Sequence, residues 1–95
     1  MDKSGKMGAT VREQIELAFQ NLKAALISVG AGFEHLVKVN NYIVNIGANI
    51  ALFREVRDKY INTAAPPAST TIGVPELARP GALFEMEAVA ILPPK

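Results

Sequence analysis

The chain has 95 residues, of which 49% are hydrophobic and 20% are charged, and its formal net charge at pH 7 is +1. This length indicates one small globular domain and excludes a second independent core. The absence of cysteine and the presence of one histidine exclude disulfides, thiolate chemistry and a His-rich metal site. The balanced charge disfavours nucleic acid as a partner, because non-specific binding requires clustered Lys and Arg. With no apolar segment long enough for export or membrane insertion, we expect a cytoplasmic protein.

The first predicted element is an amphipathic helix that begins after Thr10 and ends at Gly30. Thr10 and Glu13 have the spacing of a capping box, and Gly30 suits the left-handed backbone that closes a helix. Between them, apolar residues recur at intervals of three and four: Val11, Ile15, Ala18, Leu22, Leu26 and Val29. One apolar stripe of this kind predicts that the helix lies on a sheet.

A strand and a second helix follow. Residues 36–46 are rich in β-branched side chains, which favour a strand, and we expect both of its faces to be covered. One face is predicted to carry Val37, Val39 and Ile43. Asn49 has the chemistry of a helix cap, so the second helix is predicted to run from there to about Asn62.

The last two predicted elements are strands at residues 69–74 and 83–92, separated by loops rich in proline and glycine. The order helix, strand, helix, strand, strand predicts an α+β domain, with two helices covering a mixed sheet of at least three strands. So thin a sheet leaves apolar surface and open edges exposed. We therefore expect another chain, or further strands, to cover it.

Three segments together carry a family resemblance that covers nearly all of residues 3–92. They are the helix at 14–30, the strand Val37-Lys38-Val39-Asn40, and the C-terminal part with Pro67-Ala68-Ser69-Thr70 and Glu85-Met86-Glu87-Ala88-Val89-Ala90. The combination resembles the Rid family, the YjgF-like reactive-intermediate deaminases of the endoribonuclease L-PSP group. This resemblance implies a chorismate-mutase-like α+β fold and a homotrimer with small-molecule clefts between subunits. It also implies hydrolysis of enamines and imines, such as 2-aminoacrylate and 2-iminopropanoate, without a metal or bound cofactor.

The sequence departs from the family pattern in two places. The N-terminal β-hairpin of the family has no counterpart, so residues 1–95 are interpreted as a single Rid domain lacking that hairpin. Active deaminases also carry Pro-Ala-Arg-Ser/Thr, whose arginine binds the substrate carboxylate, whereas Ser69 stands at that position here. A guanidinium donates two parallel charge-assisted hydrogen bonds and a hydroxyl donates one neutral bond. We therefore expect weak binding of α-imino acids.

The resemblance assigns the candidate site residues. Glu85 matches the cleft carboxylate of the family, and a carboxylate can orient the attacking water and relay its proton. The substrate-binding candidates are Pro67, Ala68, Ser69, Thr71 and Arg54, of which Arg54 would replace the missing cation from a helix. Ordinary structural roles stay open for three of them: a surface carboxylate for Glu85, a solvated cation for Arg54 and a strand-forming residue for Thr71.

Two other titratable residues are interpreted as structural. Glu87 lies on the same strand face as Glu85, where the two carboxylates could raise one another's pKa. Pairing of Glu87 with a basic side chain such as Lys38 is the favoured interpretation. His35 has the intrinsic pKa of a general base, but its place in a connector favours a surface histidine.

Two functional hypotheses follow. In the first, a Rid-family trimer binds a small imine, enamine or carbonyl metabolite in a subunit-interface cleft and retains some hydrolytic deaminase chemistry. In the second, the trimer is a non-catalytic binding or regulatory protein with the same cleft. A pathway-specific hydrolase for another substrate also stays open. A ribonuclease is disfavoured by the charge balance and by the lack of paired histidines, and no cofactor or metal is expected.

Overall fold

The computed structural model describes residues 8–92, so both ends of the interpreted domain 1–95 lie outside the described range. In chain order the elements are helix α1 (Val11–Ser28), a 3-10 turn (Phe33–His35), strand β1 (Leu36–Val44), helix α2 (Ile46–Arg57), strand β2 (Ala68–Val74) and strand β3 (Phe84–Ala90). The central strand β1 is parallel to β2 and antiparallel to β3. Both helices pack against one face of this sheet and against each other. The predicted α+β architecture, with two helices on a mixed sheet, is confirmed.

Helix α1 follows its prediction closely. The Thr10 hydroxyl accepts a hydrogen bond from the Glu13 backbone N–H at 3.2 Å. The Glu13 carboxylate reaches back to the N–H of Ala9 at 3.0 Å, one residue earlier than in a standard capping box. At the other end Gly30 has φ +75°, and the N–H of Ala31 donates to the carbonyl of Leu26 at 2.9 Å. This closure is a Schellman motif, which ends the helix where the sequence predicts.

Strand β1 contains an irregularity that the sequence pattern does not reveal. The pairing register of β1 with β3 shifts between Leu36 and Lys38. As a result, Leu36 is buried and Val37 is 41% exposed. The expectation that Val37 shares the buried face of Val39 and Ile43 is wrong, because an extra residue in a strand reverses the facing of the residues before it.

Helix α2 begins and ends earlier than predicted. Asn45 adopts a left-handed conformation with φ 55°, which asparagine tolerates better than most residues. The chain therefore turns directly from β1 into a helix at Ile46. Asn49 does not cap the helix, because its side-chain amide lies in the first turns and donates to the carbonyls of Val44 and Asn45 at 3.0 and 3.2 Å. The helix ends at Arg57 instead of near residue 62, and turns follow.

The two faces of the sheet differ in what covers them. The covered face lies under the helices and carries Val39, Asn41 and Ile43 of β1, Ser69 and Thr71 of β2, and Phe84 of β3. The open face has no helix over it within residues 8–92 and carries Tyr42, Thr70, Ile72, Glu85, Glu87 and Val89. The expectation that both faces are covered therefore does not hold among residues 8–92. Strands β2 and β3 match their predicted positions, although β3 is shorter than residues 83–92.

A row of aromatic rings, buried except for the partly exposed Tyr60, links the helices to the sheet. Phe53 of α2 lies 5.6 Å from Phe84 and 6.4 Å from Phe19, measured between ring centroids, and Phe19 stacks on Tyr60 at 5.0 Å. Tyr60 also donates to Glu16 of α1 at 2.9 Å. Burial and this hydrogen bond raise the pKa of Tyr60. The stacked rings and the hydrogen bond between Tyr60 and Glu16 hold α1 against the segment that follows α2.

A buried glutamine attaches α1 to the loop before β3. The side-chain amide of Gln14 donates to the carbonyls of Gly8 and Gly81 at 3.1 and 3.0 Å. Its carbonyl accepts the backbone N–H of Leu83 at 2.6 Å. A buried polar side chain is tolerated when it is satisfied in this way, so Gln14 determines where β3 enters the sheet.

Candidate functional site

A cavity of about 180 Å³ lies between the two helices, the covered face of the sheet and the loop that leads into β2. We call it the Ser69 cavity, after the strand residue that lines it. Its apolar wall consists of Phe19, Val39, Phe53, Ile61, Pro66 and Pro67. Dry cavities of about 150 Å³ admit benzene. A ligand of about six non-hydrogen atoms therefore fits here.

The local sequence explains how the cavity stays open. Asn62 begins a turn in which its side-chain oxygen accepts the N–H of Ala64 at 2.9 Å, and its carbonyl accepts the N–H of Ala65 at 3.2 Å. Pro66 and Pro67 follow, and prolines have no N–H to donate to a sheet. Strand pairing therefore starts only at Ala68, which leaves the prolines as the rim of the cavity.

Asn41 is the most deeply buried polar residue that lines the cavity, with 2% of its surface exposed. Its side-chain amide donates to the hydroxyls of Ser69 at 3.3 Å and Thr71 at 3.2 Å, and to the carbonyl of Thr70 at 3.5 Å. Its side-chain oxygen Oδ1 is buried and has no hydrogen-bond partner among residues 8–92. An unsatisfied buried acceptor costs about 1–3 kcal/mol. Because Oδ1 presents almost no surface, a ligand in the cavity does not reach it unless Asn41 moves.

A cation lies at the edge of the same cavity. Arg57 lines it from the last turn of α2, and its guanidinium carbon is 5.8 Å from the centroid of the Phe53 ring. The two residues face the same way because they are four positions apart on the helix. Nε of Arg57 donates to Oδ1 of Asp58 at 3.0 Å, and Nη2 lies 2.9 Å from the same oxygen in an ion pair. The lining of the cavity thus includes a positive group.

The structure places only some of the predicted substrate-binding residues at the cavity. Pro67 and Ser69 line the cavity, and the hydroxyl of Thr71 lies beside it as a partner of Asn41. Ala68 and Ser69 are both exposed, but Ala68 alternates away from Ser69 along β2 and does not line the cavity. Arg54 is exposed on α2 and is not part of the cavity wall, whereas Arg57, one turn later, is.

Glu85 lies apart from these residues. It is an exposed residue of the open face, where it pairs in register with Tyr42. Successive residues of a strand point to opposite faces, so Glu85 and Ser69 are on opposite faces of the sheet. A separate hollow of about 160 Å³, formed with Gln14 and Arg79 among others, borders Glu85. One chain alone does not bring the candidate carboxylate to the cavity.

Glu87 and His35 both make structural contacts. Glu87 accepts a hydrogen bond from the hydroxyl of Tyr42 at 2.5 Å, instead of the expected pairing with Lys38. This bond raises the pKa of Tyr42, because the neighbouring carboxylate disfavours the phenolate. Nδ1 of His35 accepts the backbone N–H of Gly32 at 2.9 Å, which closes the 3-10 turn.

Sequence reasoning did not identify Asn41 or Arg57, although each left a signal. Asn41 interrupts the apolar alternation between Val39 and Ile43, and a polar residue at a buried position requires an explanation. Arg57 is four residues after Phe53 on a helix, a spacing that places both on one side.

Within residues 8–92, no group of three or more His, Cys, Asp or Glu side chains is placed to hold a metal ion. No described helix has the length and apolarity needed to cross a bilayer.

Comparisons with known proteins agree with this fold. A family model described as Endoribonuclease L-PSP matches residues 1–92. The protein DfrA of Myxococcus xanthus is 37% identical over 78 residues, which are 82% of this chain and 57% of DfrA. A 2-iminobutanoate/2-iminopropanoate deaminase of Dermatophagoides farinae is 30% identical over 82 residues, which are 86% of this chain and 62% of that protein. The chain thus spans about three fifths of the length of these two relatives.

A solved structure shows the same architecture. The crystal structure of YyfB, a Rid-family protein of unknown function from Yersinia pestis, is 34% identical and superimposes with a TM-score of 0.83. The match covers 96% of this chain and 71% of YyfB. The resemblance that the sequence segments carry is therefore confirmed at the level of fold.

Proposed function

Because the chain belongs to the endoribonuclease L-PSP family, also called the Rid or YjgF family, we propose that it binds a small imine, enamine or carbonyl metabolite in the Ser69 cavity. The observation that carries this proposal is the small cavity itself, which combines an apolar wall with the polar side chains of Asn41, Thr63 and Ser69. Imines, enamines and carbonyl compounds each offer one polar group to such side chains, and their short carbon skeletons suit the apolar wall. The hydroxyls of Ser69 and Thr63 would serve a carbonyl oxygen.

We also propose that the protein assembles as a homotrimer in the cytoplasm, with the cavity completed at a subunit interface. The open face supports an association between copies, because Ile72 and Val89 there are exposed large apolar residues. The position of Glu85 is consistent with the same idea, since only a second copy could bring this carboxylate to the cavity of the first. Hydrolytic deamination by Glu85 is therefore a function of the assembly in this proposal. The relative named as an iminobutanoate deaminase supports that reaction class.

Binding without catalysis is the second candidate function. It is favoured by the separation of Glu85 and Ser69 on opposite faces of the sheet. A protein of this kind would retain the cavity and its selectivity but would release its ligand unchanged. Ligand binding is common to both candidates, so the first experiment measures binding.

Thermal unfolding in the presence of small carbonyl and C=N compounds tests the binding proposal. We expect 2-oxobutanoate, butanone and butanone oxime to include at least one ligand that raises the melting temperature. A ligand at 100 times its Kd adds about 2.7 kcal/mol to stability, which corresponds to more than about 10 °C for a domain of this size. Butane-2-thiol, which has no C=O or C=N group, serves as the comparison compound.

Two variants on adjacent residues of β2 localise the effect. Ser69→Leu fills the cavity and should abolish the stabilisation. Thr70→Leu adds the same side chain to the open face and should leave the stabilisation intact. If none of the compounds raises the melting temperature, or if Ser69→Leu and Thr70→Leu respond alike, the proposed function is wrong.

A further inference from the structure

Strand β3 is an edge of the sheet, so part of its backbone faces away from β1. The N–H of Val44 donates to the carbonyl of Leu83 at 3.0 Å. The N–H of Ile91 donates to the carbonyl of His35 at the same distance. In an antiparallel pair, residues that bond to the neighbouring strand alternate with residues that do not. With these two bonds and the pairing register, the residues whose N–H and C=O groups face the free edge are Phe84, Met86, Ala88 and Ala90.

The free edge is accessible in the middle of β3. Ala88 lies on the covered face, opposite Val39 of β1. Val39 is buried, whereas Ala88 is exposed, so the helices do not extend over this part of the edge. The strand also contains neither proline nor lysine, the residues that most often prevent another strand from pairing with an edge.

Two carboxylates determine which kind of strand suits this edge. Glu85 and Glu87 are exposed and share the open face. Across two paired strands, opposite charges stabilise and like charges destabilise the pairing. Strand β3 of a second copy would add two more carboxylates to the same face, so self-pairing is disfavoured. A strand with lysine or arginine at alternate positions is complementary.

A hollow at the start of β3 suits one apolar side chain of an added strand. Its volume is about 160 Å³, and its apolar lining includes Leu17, Ala18, Leu77 and Phe84. A group the size of benzene fits a space of this volume. In strand addition, main-chain hydrogen bonds provide affinity and pockets for alternate side chains provide specificity. Because alternate residues of a strand face opposite sides of a sheet, one strand can place apolar side chains towards the helices and basic side chains on the open face.

We propose that the free edge of β3 binds an extended segment of a partner protein in which apolar residues alternate with lysine or arginine. The segment runs antiparallel to β3 and adds a fourth strand to the sheet. Its backbone exchanges hydrogen bonds with Met86 and Ala88. Its basic side chains pair with Glu85 and Glu87, and one apolar side chain enters the hollow beside Phe84. This inference goes beyond the proposed function, since it uses no residue that lines the Ser69 cavity.

Hydrogen exchange of the ¹⁵N-labelled full chain, followed by nuclear magnetic resonance, tests the proposal with three synthetic peptides. The first, Val-Thr-Val-Lys-Val-Lys-Leu, has the proposed alternation. The second has glutamate in place of both lysines. The third has proline in place of the two inner valines, which removes two N–H donors.

The lysine peptide should protect only the amides of the free edge. At ten times its Kd it should slow exchange at Met86 and Ala88 about 10-fold, because exchange then occurs from the unbound fraction. The amides of Glu85 and Glu87 already face β1 and should change little. The glutamate peptide should bind about 10-fold more weakly or worse, since two attractive pairs become repulsive. The proline peptide should give no protection.

Two pairs of variants localise the contacts. Glu87→Lys should abolish the preference for the lysine peptide. Glu55→Lys changes the net charge equally on α2, which packs on β1 and β2, and should keep the preference. Ala88→Pro removes one outward N–H and should raise the Kd of the lysine peptide about 5-fold, whereas Ala88→Thr keeps that donor and should bind like wild type.

Three outcomes would overturn the proposal. The first is protection of Met86 and Ala88 without any peptide, which would mean that a second copy or the terminal residues of the chain already cover the edge; light scattering distinguishes these two occupants. The second is equal binding of the lysine and glutamate peptides by wild type. The third is binding of the lysine peptide, or no binding, with no protection of these two amides.

Discussion

Replacement of Ile43 by alanine is expected to lower the free energy of unfolding by about 2–5 kcal/mol. Ile43 is 0% exposed and lies on the central strand, in register with Gly73 of β2 and Phe84 of β3. Its loss leaves a cavity that the surrounding strands and helices cannot fill. Because domains of this size have total stabilities of about 5–15 kcal/mol, a large part of the stability should be lost. Denaturant unfolding followed by circular dichroism measures the change.

Two variants calibrate this prediction. Ile43→Val removes one methyl group and should cost about 0.5–1.5 kcal/mol. Ile27→Ala removes a larger apolar group from the surface of α1, where the side chain is 62% exposed, and should change stability by no more than about 0.5 kcal/mol. A loss for Ile43→Ala no larger than that for Ile27→Ala would contradict the central position of β1 in the core.

The second large effect is expected at Glu85. If the assembly hydrolyses imines, Glu85→Gln should reduce turnover about 10²- to 10⁴-fold, because glutamine cannot take a proton from water. Release of 2-oxobutanoate from 2-iminobutanoate, generated in situ by an amino-acid oxidase, measures the rate. Glu87→Gln is the matched control, since Glu87 lies two residues further along the same face and is bound to Tyr42. Equal rates for the two variants would remove Glu85 from the mechanism.

Ser69 and Glu85 lie on opposite faces of the sheet, so mixing a variant of each residue tests whether two copies share one site. Ser69→Leu blocks the cavity and Glu85→Gln removes the carboxylate, so each variant alone should be inactive. If a site combines the cavity of one copy with Glu85 of another, co-refolding the two variants should restore part of the activity. Light scattering on the same samples reports the mass of the assembly. No recovery in a mixed assembly of trimer mass would contradict a shared site, and ligand binding by wild type without turnover would favour the non-catalytic function.

Local sequence signals were sufficient for much of the fold. The cap at Thr10, the left-handed Gly30 and the apolar repeat between them determine α1 through contacts within the helix and its ends. The start of α2 was missed because it depends on the left-handed conformation of Asn45. Both glycine and asparagine adopt this conformation, so the sequence does not show which residue of the segment takes it. The misplacement of Val37 has a similar origin, since a bulge is a property of strand pairing and leaves no mark in an alternating pattern.

The candidate site was predictable only in part. Pro67 and Ser69 were identified through a resemblance, and the structure places both on the cavity wall. Asn41 and Arg57 were missed because their importance depends on tertiary packing: one becomes a buried acceptor under the helices, and the other meets the cavity through the orientation of α2. The separation of Glu85 from Ser69 also depends on topology, since it follows from the strand registers. Motif spacing alone carries no information about the face on which two distant strand residues lie.

Nuclear magnetic resonance of ¹⁵N-labelled protein, titrated with 2-oxobutanoate and with butanone oxime, shows whether the Ser69 cavity is the ligand-binding site. Saturable shifts are expected on the backbone amides of Thr63 and Ser69 and on the side-chain amide of Asn41, which line the cavity. Shifts confined to the open face, around Glu87 and Val89, or no shifts with either compound, would contradict this assignment.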